Sequence, residues 1–156
     1  MNVSDQEIDF LRKVFKKFDT LNTGYLDNLQ FTKLIKTLSR QVPEIIVDNT
    51  ICEAVFAYYD KDNNKRLSFD EIYSWWISHD KFKFFMGNKA ILMKKARQLF
   101  TKYAISTNAN GMLFLEFESL LFDYNKYHDE SAFDSIDKDE DGIISFTEFV
   151  HWLGWV

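Results

Sequence analysis

Between residues 137 and 148 the chain reads Asp-Lys-Asp-Glu-Asp-Gly-Ile-Ile-Ser-Phe-Thr-Glu. Alternating carboxylates, a glycine and a closing glutamate suit one kind of chemistry, the capture of a hard cation such as Ca²⁺ by oxygen ligands. Asp137, Asp139 and Asp141 supply carboxylates at loop positions 1, 3 and 5. Ile143 supplies its backbone carbonyl at position 7, Ser145 holds a water at position 9, and Glu148 offers both oxygens at position 12. Gly142 permits the turn that brings these groups to one point. Residues 60–71 repeat the set with Asp60, Asp62, Asn64, the Arg66 carbonyl, Ser68 through water, and Glu71. There Lys65 stands where the glycine belongs, and an amide replaces one carboxylate. A β-carbon in the left-handed region costs ~1–2 kcal/mol, so this loop is expected to hold the cation more weakly than 137–148. The pairs Ser68/Glu71 and Ser145/Glu148 also have the spacing of helix capping boxes, and capping is compatible with coordination.

The flanking residues must form helices to position these groups. Leu11, Val14, Phe15 and Phe18 fall at helical spacing, as do Cys52, Val55, Phe56 and Tyr59, then Ala96, Leu99, Phe100 and Tyr103, and more briefly Ala132, Phe133 and Ile136. Each stripe runs into a polar loop followed by a second apolar helix. The chain is thus four helix–loop–helix units with a period near 40 residues. The other two loops are poor in charge. In 19–30, Gly24 is in place, but Leu21 occupies a ligand position and Gln30 offers one neutral oxygen. Affinity follows ligand charge, which argues against occupancy there. The third loop, Ala104 to Glu116, is one residue too long and contains no Asp. It is expected to bind no metal.

On these loops the chain resembles the EF-hand family over essentially its whole length. The resemblance implies an all-α fold of two EF-hand pairs, with short two-residue β-bridges between paired loops. It implies an N-terminal pair over 1–80, a short basic-aromatic linker over 81–88, and a C-terminal pair over 89–156. Pairing near position 8 is expected to join Leu26 with Leu67, and Leu113 with Ile144. Each pair then holds one degenerate and one intact hand, and two Ca²⁺ ions are expected, with Mg²⁺ as a competitor.

The net charge of −5 argues against nucleic acid as a partner. It is unevenly spread: residues 81–115 carry seven basic side chains and no acidic one, leaving −12 elsewhere. These are Lys81, Lys83, Lys89, Lys94, Lys95, Arg97 and Lys102, and they read as a solvated helix face. The alternative is a docking patch over 81–102 for the acidic rest of the protein, an acidic partner or an anionic membrane. Gly87 and the short linker predict that the two halves pack together. His79, His128 and His151 have no cysteine partners at zinc spacing. Cys52 lies on an apolar stripe and reads as a buried core thiol. No nucleophile–base pair or phosphate loop is visible, so the chain reads as a non-enzyme.

A single cysteine fits a reducing compartment. No stretch approaches a membrane span, and Met1–Asp5 has neither a signal-peptide pattern nor a myristoylation glycine. A cytoplasmic or nuclear protein is expected.

Aromatic residues make up 17% of the chain. All four tryptophans, Trp75, Trp76, Trp152 and Trp155, follow the two intact loops. Core packing is the weightier reading. The sharper one is an aromatic groove that opens for a protein partner when Ca²⁺ binds. Two functions compete: an intracellular Ca²⁺ sensor and a compact buffer similar to the sarcoplasmic calcium-binding proteins. Four Met against sixteen Phe weakens the promiscuous-sensor case. Two sites in 156 residues make a poor buffer, and the balance tips to the sensor.

Overall fold

The computed structural model describes residues 4–78, 81–107, 110–124 and 130–154. His79, His128 and Trp155 lie outside the described residues. The chain forms α1 (Asp5–Phe18), β1 (Tyr25–Leu26), α2 (Asn28–Ser39), α3 (Asn49–Tyr59), β2 (Leu67–Ser68) and α4 (Phe69–Ile77). A 3₁₀ turn (Lys83–Phe85) leads to α5 (Gly87–Tyr103), α6 (Phe114–Asp123), α7 (Glu130–Ile136) and α8 (Phe146–Leu153). The fold is all-α apart from these two-residue strands, as the EF-hand resemblance implies.

The same local physics recurs in each unit. The entering helices end where the backbone N–H of Asp19, Asp60, Ala104 and Asp137 donates to the carbonyl of Phe15, Phe56, Phe100 and Phe133. All four phenylalanines are buried. The exiting helices α2, α4 and α8 begin with capping boxes, Asp27/Gln30, Ser68/Glu71 and Ser145/Glu148. At α6 only half survives: Leu113 has no capping side chain, and Glu116 Oε1 accepts from the Leu113 N–H at 2.9 Å.

β1 pairs antiparallel with β2, with Leu26 opposite Leu67 as expected. In the second half the bridge joins Met112 to Ile144, which corrects the expected Leu113 pairing. The register is set from Glu116. Its carboxylate accepts from the N–H groups three and ten residues before it, Leu113 and Ser106, as Glu71 does from Ser68 and Lys61. Counted back from Glu116, position 8 is Met112. The extra residue is therefore absorbed at the entry of the loop, beside Ala104.

The halves do pack together. Helix α3 lies against α5 and α8. Lys94 Nζ reaches Asp48 at 2.8 Å, and Arg97 Nη2 reaches Glu53 at 3.3 Å. The Ile46 N–H donates to the Phe85 carbonyl at 2.7 Å, anchoring the linker on the segment before α3. The core is largely edge-to-face aromatic: Phe31 on Trp75, Phe100 on Phe146 and Phe117 on Trp152, with centroids 5.8, 5.4 and 5.1 Å apart. Among the described residues no helix is long and apolar enough to cross a membrane.

Cys52 is fully buried. Burial pushes its thiol up to about 11, so the thiolate is scarce at neutral pH. A disulfide reagent should leave the folded protein unlabelled for hours and label it at once in denaturant. Rapid labelling of the folded form would place Cys52 at an opening surface.

Candidate metal centres

The loops bring the acidic residues together. Carboxylate oxygens of Asp137, Asp139, Asp141 and Glu148 lie within 4.8 Å of one another, and so do those of Asp60, Asp62 and Glu71. The first residue of each loop caps an entering helix and is buried, Asp60 at 5% exposure and Asp137 at 4%. Asp137 Oδ2 accepts from the Gly142 N–H at 2.9 Å, while Oδ1 is buried without a hydrogen-bond partner. A buried, orphaned carboxylate oxygen is costly unless something meets it. Three further carboxylates converge on it, so the set fits a hard divalent cation. Asp60 is better served, accepting from the N–H groups of Asn64 at 3.3 Å and Lys65 at 2.9 Å.

Electrostatics agrees with this reading. Burial, then nearby side chains, pushes Asp60 up to about 6; burial, with Asp141 and Asp139 alongside, does the same to Asp137. The remaining predicted ligands lie around the clusters. The Asn64 amide donates to Asp62 at 3.3 Å. Ser68 and Ser145 hydroxyls accept from the Glu71 and Glu148 N–H groups, each at 3.2 Å, so they act as helix caps in this arrangement. Arg66 and Ile143 enter through their backbones, and the Arg66 guanidinium stacks on Tyr25, 3.9 Å from the ring centre.

The first loop keeps the shape without the charge. Asp19 accepts from the Thr23 N–H, the Thr23 hydroxyl and the Gly24 N–H at 3.0, 3.1 and 2.8 Å. Burial works to raise its pKa, but these bonds outweigh it and hold the carboxyl below its usual value. At position 12, Gln30 turns its carbonyl to the Asp27 N–H and its NH₂ to Thr20. An NH₂ group cannot be the second oxygen of a bidentate ligand. In the third loop Glu116 stands alone among the described residues.

At position 6 the backbone has φ +82° at Gly24, +66° at Lys65 and +84° at Gly142. No heavy atom lies within 4 Å of a Cβ built at either glycine, so only backbone conformation favours glycine there. Lys65→Gly removes ~1–2 kcal/mol of strain and returns about 0.5–1 kcal/mol of chain entropy. The Ca²⁺-saturated variant should therefore be slightly more stable to denaturant than the parent. A loss of more than about 1 kcal/mol would mean that the lysine side chain contributes more than its backbone costs.

Sequence reasoning missed two contacts beside these loops. Thr147 Oγ1 donates to the Tyr58 carbonyl at 2.8 Å, and the Asn63 amide donates to the Asn110 carbonyl. Neither has a local signal, since the partners are 89 and 47 residues apart.

Residues 8–77 match the family described as an EF-hand domain pair. Plastin-1 of Gallus gallus is 32% identical over 72 residues, covering 46% of this chain and 11% of that protein. The chain thus spans about a tenth of the plastins it matches. Calcineurin B of Schizosaccharomyces pombe is 27% identical over 151 residues, covering 94% of this chain and 79% of that protein. A solved structure of a homolog of programmed cell death 6 protein from Leishmania major Friedlin covers 92% of this chain and 73% of its own, with 17% identity and a TM-score of 0.38.

Proposed function

The chain belongs to the EF-hand calcium-binding family, and from that premise we propose that it is a Ca²⁺ sensor that regulates a protein partner by binding to it. The observation that carries the reading is the four-carboxylate cluster around the orphaned Asp137 oxygen. Two ions bind, one by Asp137, Asp139, Asp141, Glu148 and the Ile143 carbonyl, the other by Asp60, Asp62, Asn64, Glu71 and the Arg66 carbonyl. Ser145 and Ser68 act through water. The 137–148 site is the tighter, because it has four carboxylates against three and no strained lysine. Mg²⁺ competes at both. Bound Ca²⁺ supplies a double positive charge that neutralises each cluster.

Residues of this chain do the rest. Glu71 and Glu148 sit in the first turns of α4 and α8, so closing them onto Asp60 and Asp137 moves the exiting helices. Those helices carry Trp75, Trp76 and Trp152. Trp75 is buried and donates its indole N–H to the Lys81 carbonyl at 2.7 Å, while Trp76 and Trp152 are half-buried. Movement of α4 and α8 would open an aromatic groove for a partner helix. The likeness to calcineurin B over most of both chains supports a regulatory role without catalysis of its own. Exposed Lys89, Lys95 and Lys102 are left to face an acidic partner or anionic membrane, since Lys94 and Arg97 are engaged within the protein. The halves 1–80 and 89–156, joined by 81–88, work in the cytoplasm or nucleus.

A buffer is the second reading, favoured by Trp75 at 1% exposure in an already dense core. Binding of the dye ANS with and without Ca²⁺ decides between them. A Ca²⁺-dependent rise in dye fluorescence, with a shift in tryptophan emission, is the sensor result. Unchanged dye binding with tight Ca²⁺ uptake is the buffer result.

A further inference from the structure

Taking the two-site reading as its basis, we infer that the metal-poor third hand couples the two carboxylate loops across the boundary between the halves, so that filling either loop tightens the other. Asn63 sits at position 4 of the 60–71 loop, with φ +55°. Its side-chain amide donates to the Asn110 carbonyl in the third loop. The next residue, Gly111, is held by Thr107 and lies so close to the fourth loop that a Cβ on it would fall 2.6 Å from Ile143 Cδ1. Met112 then exchanges two backbone hydrogen bonds with Ile144, both 2.8 Å. Three consecutive residues of the third loop therefore span from one carboxylate loop to the other. They arrive at Ile143 and Ile144, positions 7 and 8 of the 137–148 loop.

A second tie runs outside the third hand. Thr147, next to Glu148, donates to the carbonyl of Tyr58, two residues before Asp60, at 2.8 Å. The Tyr58 ring meets His151 edge-on at 5.8 Å, and its hydroxyl lies 3.2 Å from His151 Nε2. Both ties join residues one or two places from a ligand in each loop. A loop already held in its binding shape by its neighbour loses less freedom when it is filled. By linkage the effect must be equal in both directions. This gives the third hand a purpose that its missing carboxylates do not.

The test is Ca²⁺ titration of the full chain and of the single-site variants Glu71→Gln and Glu148→Gln. The 60–71 loop should bind about five- to tenfold more weakly in Glu148→Gln than in the parent, and 137–148 should lose the same factor in Glu71→Gln. Asn63→Gly keeps the left-handed backbone and deletes the amide, while Thr147→Val keeps the shape and deletes the hydroxyl. Each alone should shrink the factor, and together they should bring it to one while both loops still bind. Amide exchange at 110–112 should slow when only the 60–71 loop of Glu148→Gln is filled. Equal affinity with and without a filled neighbour overturns the coupling and leaves the two-site reading standing, as does a factor that survives the double variant. Failure of either loop to bind Ca²⁺ in the parent overturns the two-site reading itself.

Discussion

Saturating Ca²⁺ should raise the unfolding midpoint of this chain by about 10–20 °C at pH 7. A ligand at a hundred times its Kd stabilises the fold by about 2.7 kcal/mol per site, and a domain of this size gains about 2–4 °C per kcal/mol. The gain should shrink sharply at pH 5. Asp60 and Asp137 are pushed up to about 6 by burial and then by their neighbours. Their folded-state pKa values lie above the unfolded value, so between about pH 4 and 6 the folded chain binds more protons than the unfolded one. These two groups therefore destabilise the metal-free fold as pH rises through that window, and the penalty is fully present at pH 7. There the cation removes it. At pH 5 protons hold the same oxygens, and Ca²⁺ must displace them. Calorimetry with Ca²⁺ and with chelator at both pH values checks this. An equal gain at pH 5 and 7, or none at pH 7, would exclude these carboxylates as the cation's ligands.

Much of this arrangement is readable in the sequence because it is local. The ligands of 137–148 fall within twelve residues, and each entering helix repeats a phenylalanine four places before its loop, at Phe15, Phe56, Phe100 and Phe133. Local signals also reveal the defects at Leu21, Gln30 and Lys65. The slip at Leu113 has a different origin. An added residue between Tyr103 and Glu116 can be absorbed on either side of the bridge, and only the two N–H groups that close on Glu116 decide it. Contacts between the halves are unreadable in principle, since Thr147 and Tyr58 share no pattern. Arg97 is a legible signal that sequence reasoning missed. It lies with Ala90, Met93 and Phe100 on one buried stripe of α5, yet its charge alone groups it with the solvated lysines.

That residue yields the second large effect. Arg97 is 5% exposed, and Nε and Nη1 have no hydrogen-bond partner. Its guanidinium lies over Phe146 at 5.0 Å and Phe100 at 5.6 Å, which gives it ring faces in place of acceptors. Its counter-charge is Glu53, whose side chain is 41% exposed. Glu53→Gln leaves a buried cation without its partner. For a fully buried pair that costs about 3–5 kcal/mol; with water reaching Glu53 the loss should be about 1–3 kcal/mol. Arg97→Met removes the charge and keeps a flexible apolar chain against the same rings. It should change stability by less than about 1 kcal/mol in either direction. Once Arg97 is replaced by methionine, adding Glu53→Gln should cost little more, because no buried charge remains to be orphaned. Denaturant unfolding of the two single variants and the double variant completes the cycle. If Arg97→Met proves the more damaging of the singles, the ion pair contributes net stability to the packing of α3 on α5. If the order is as expected, the apolar contact of α3 with α5 holds the halves together, and the pair sets which acidic residue must face α5.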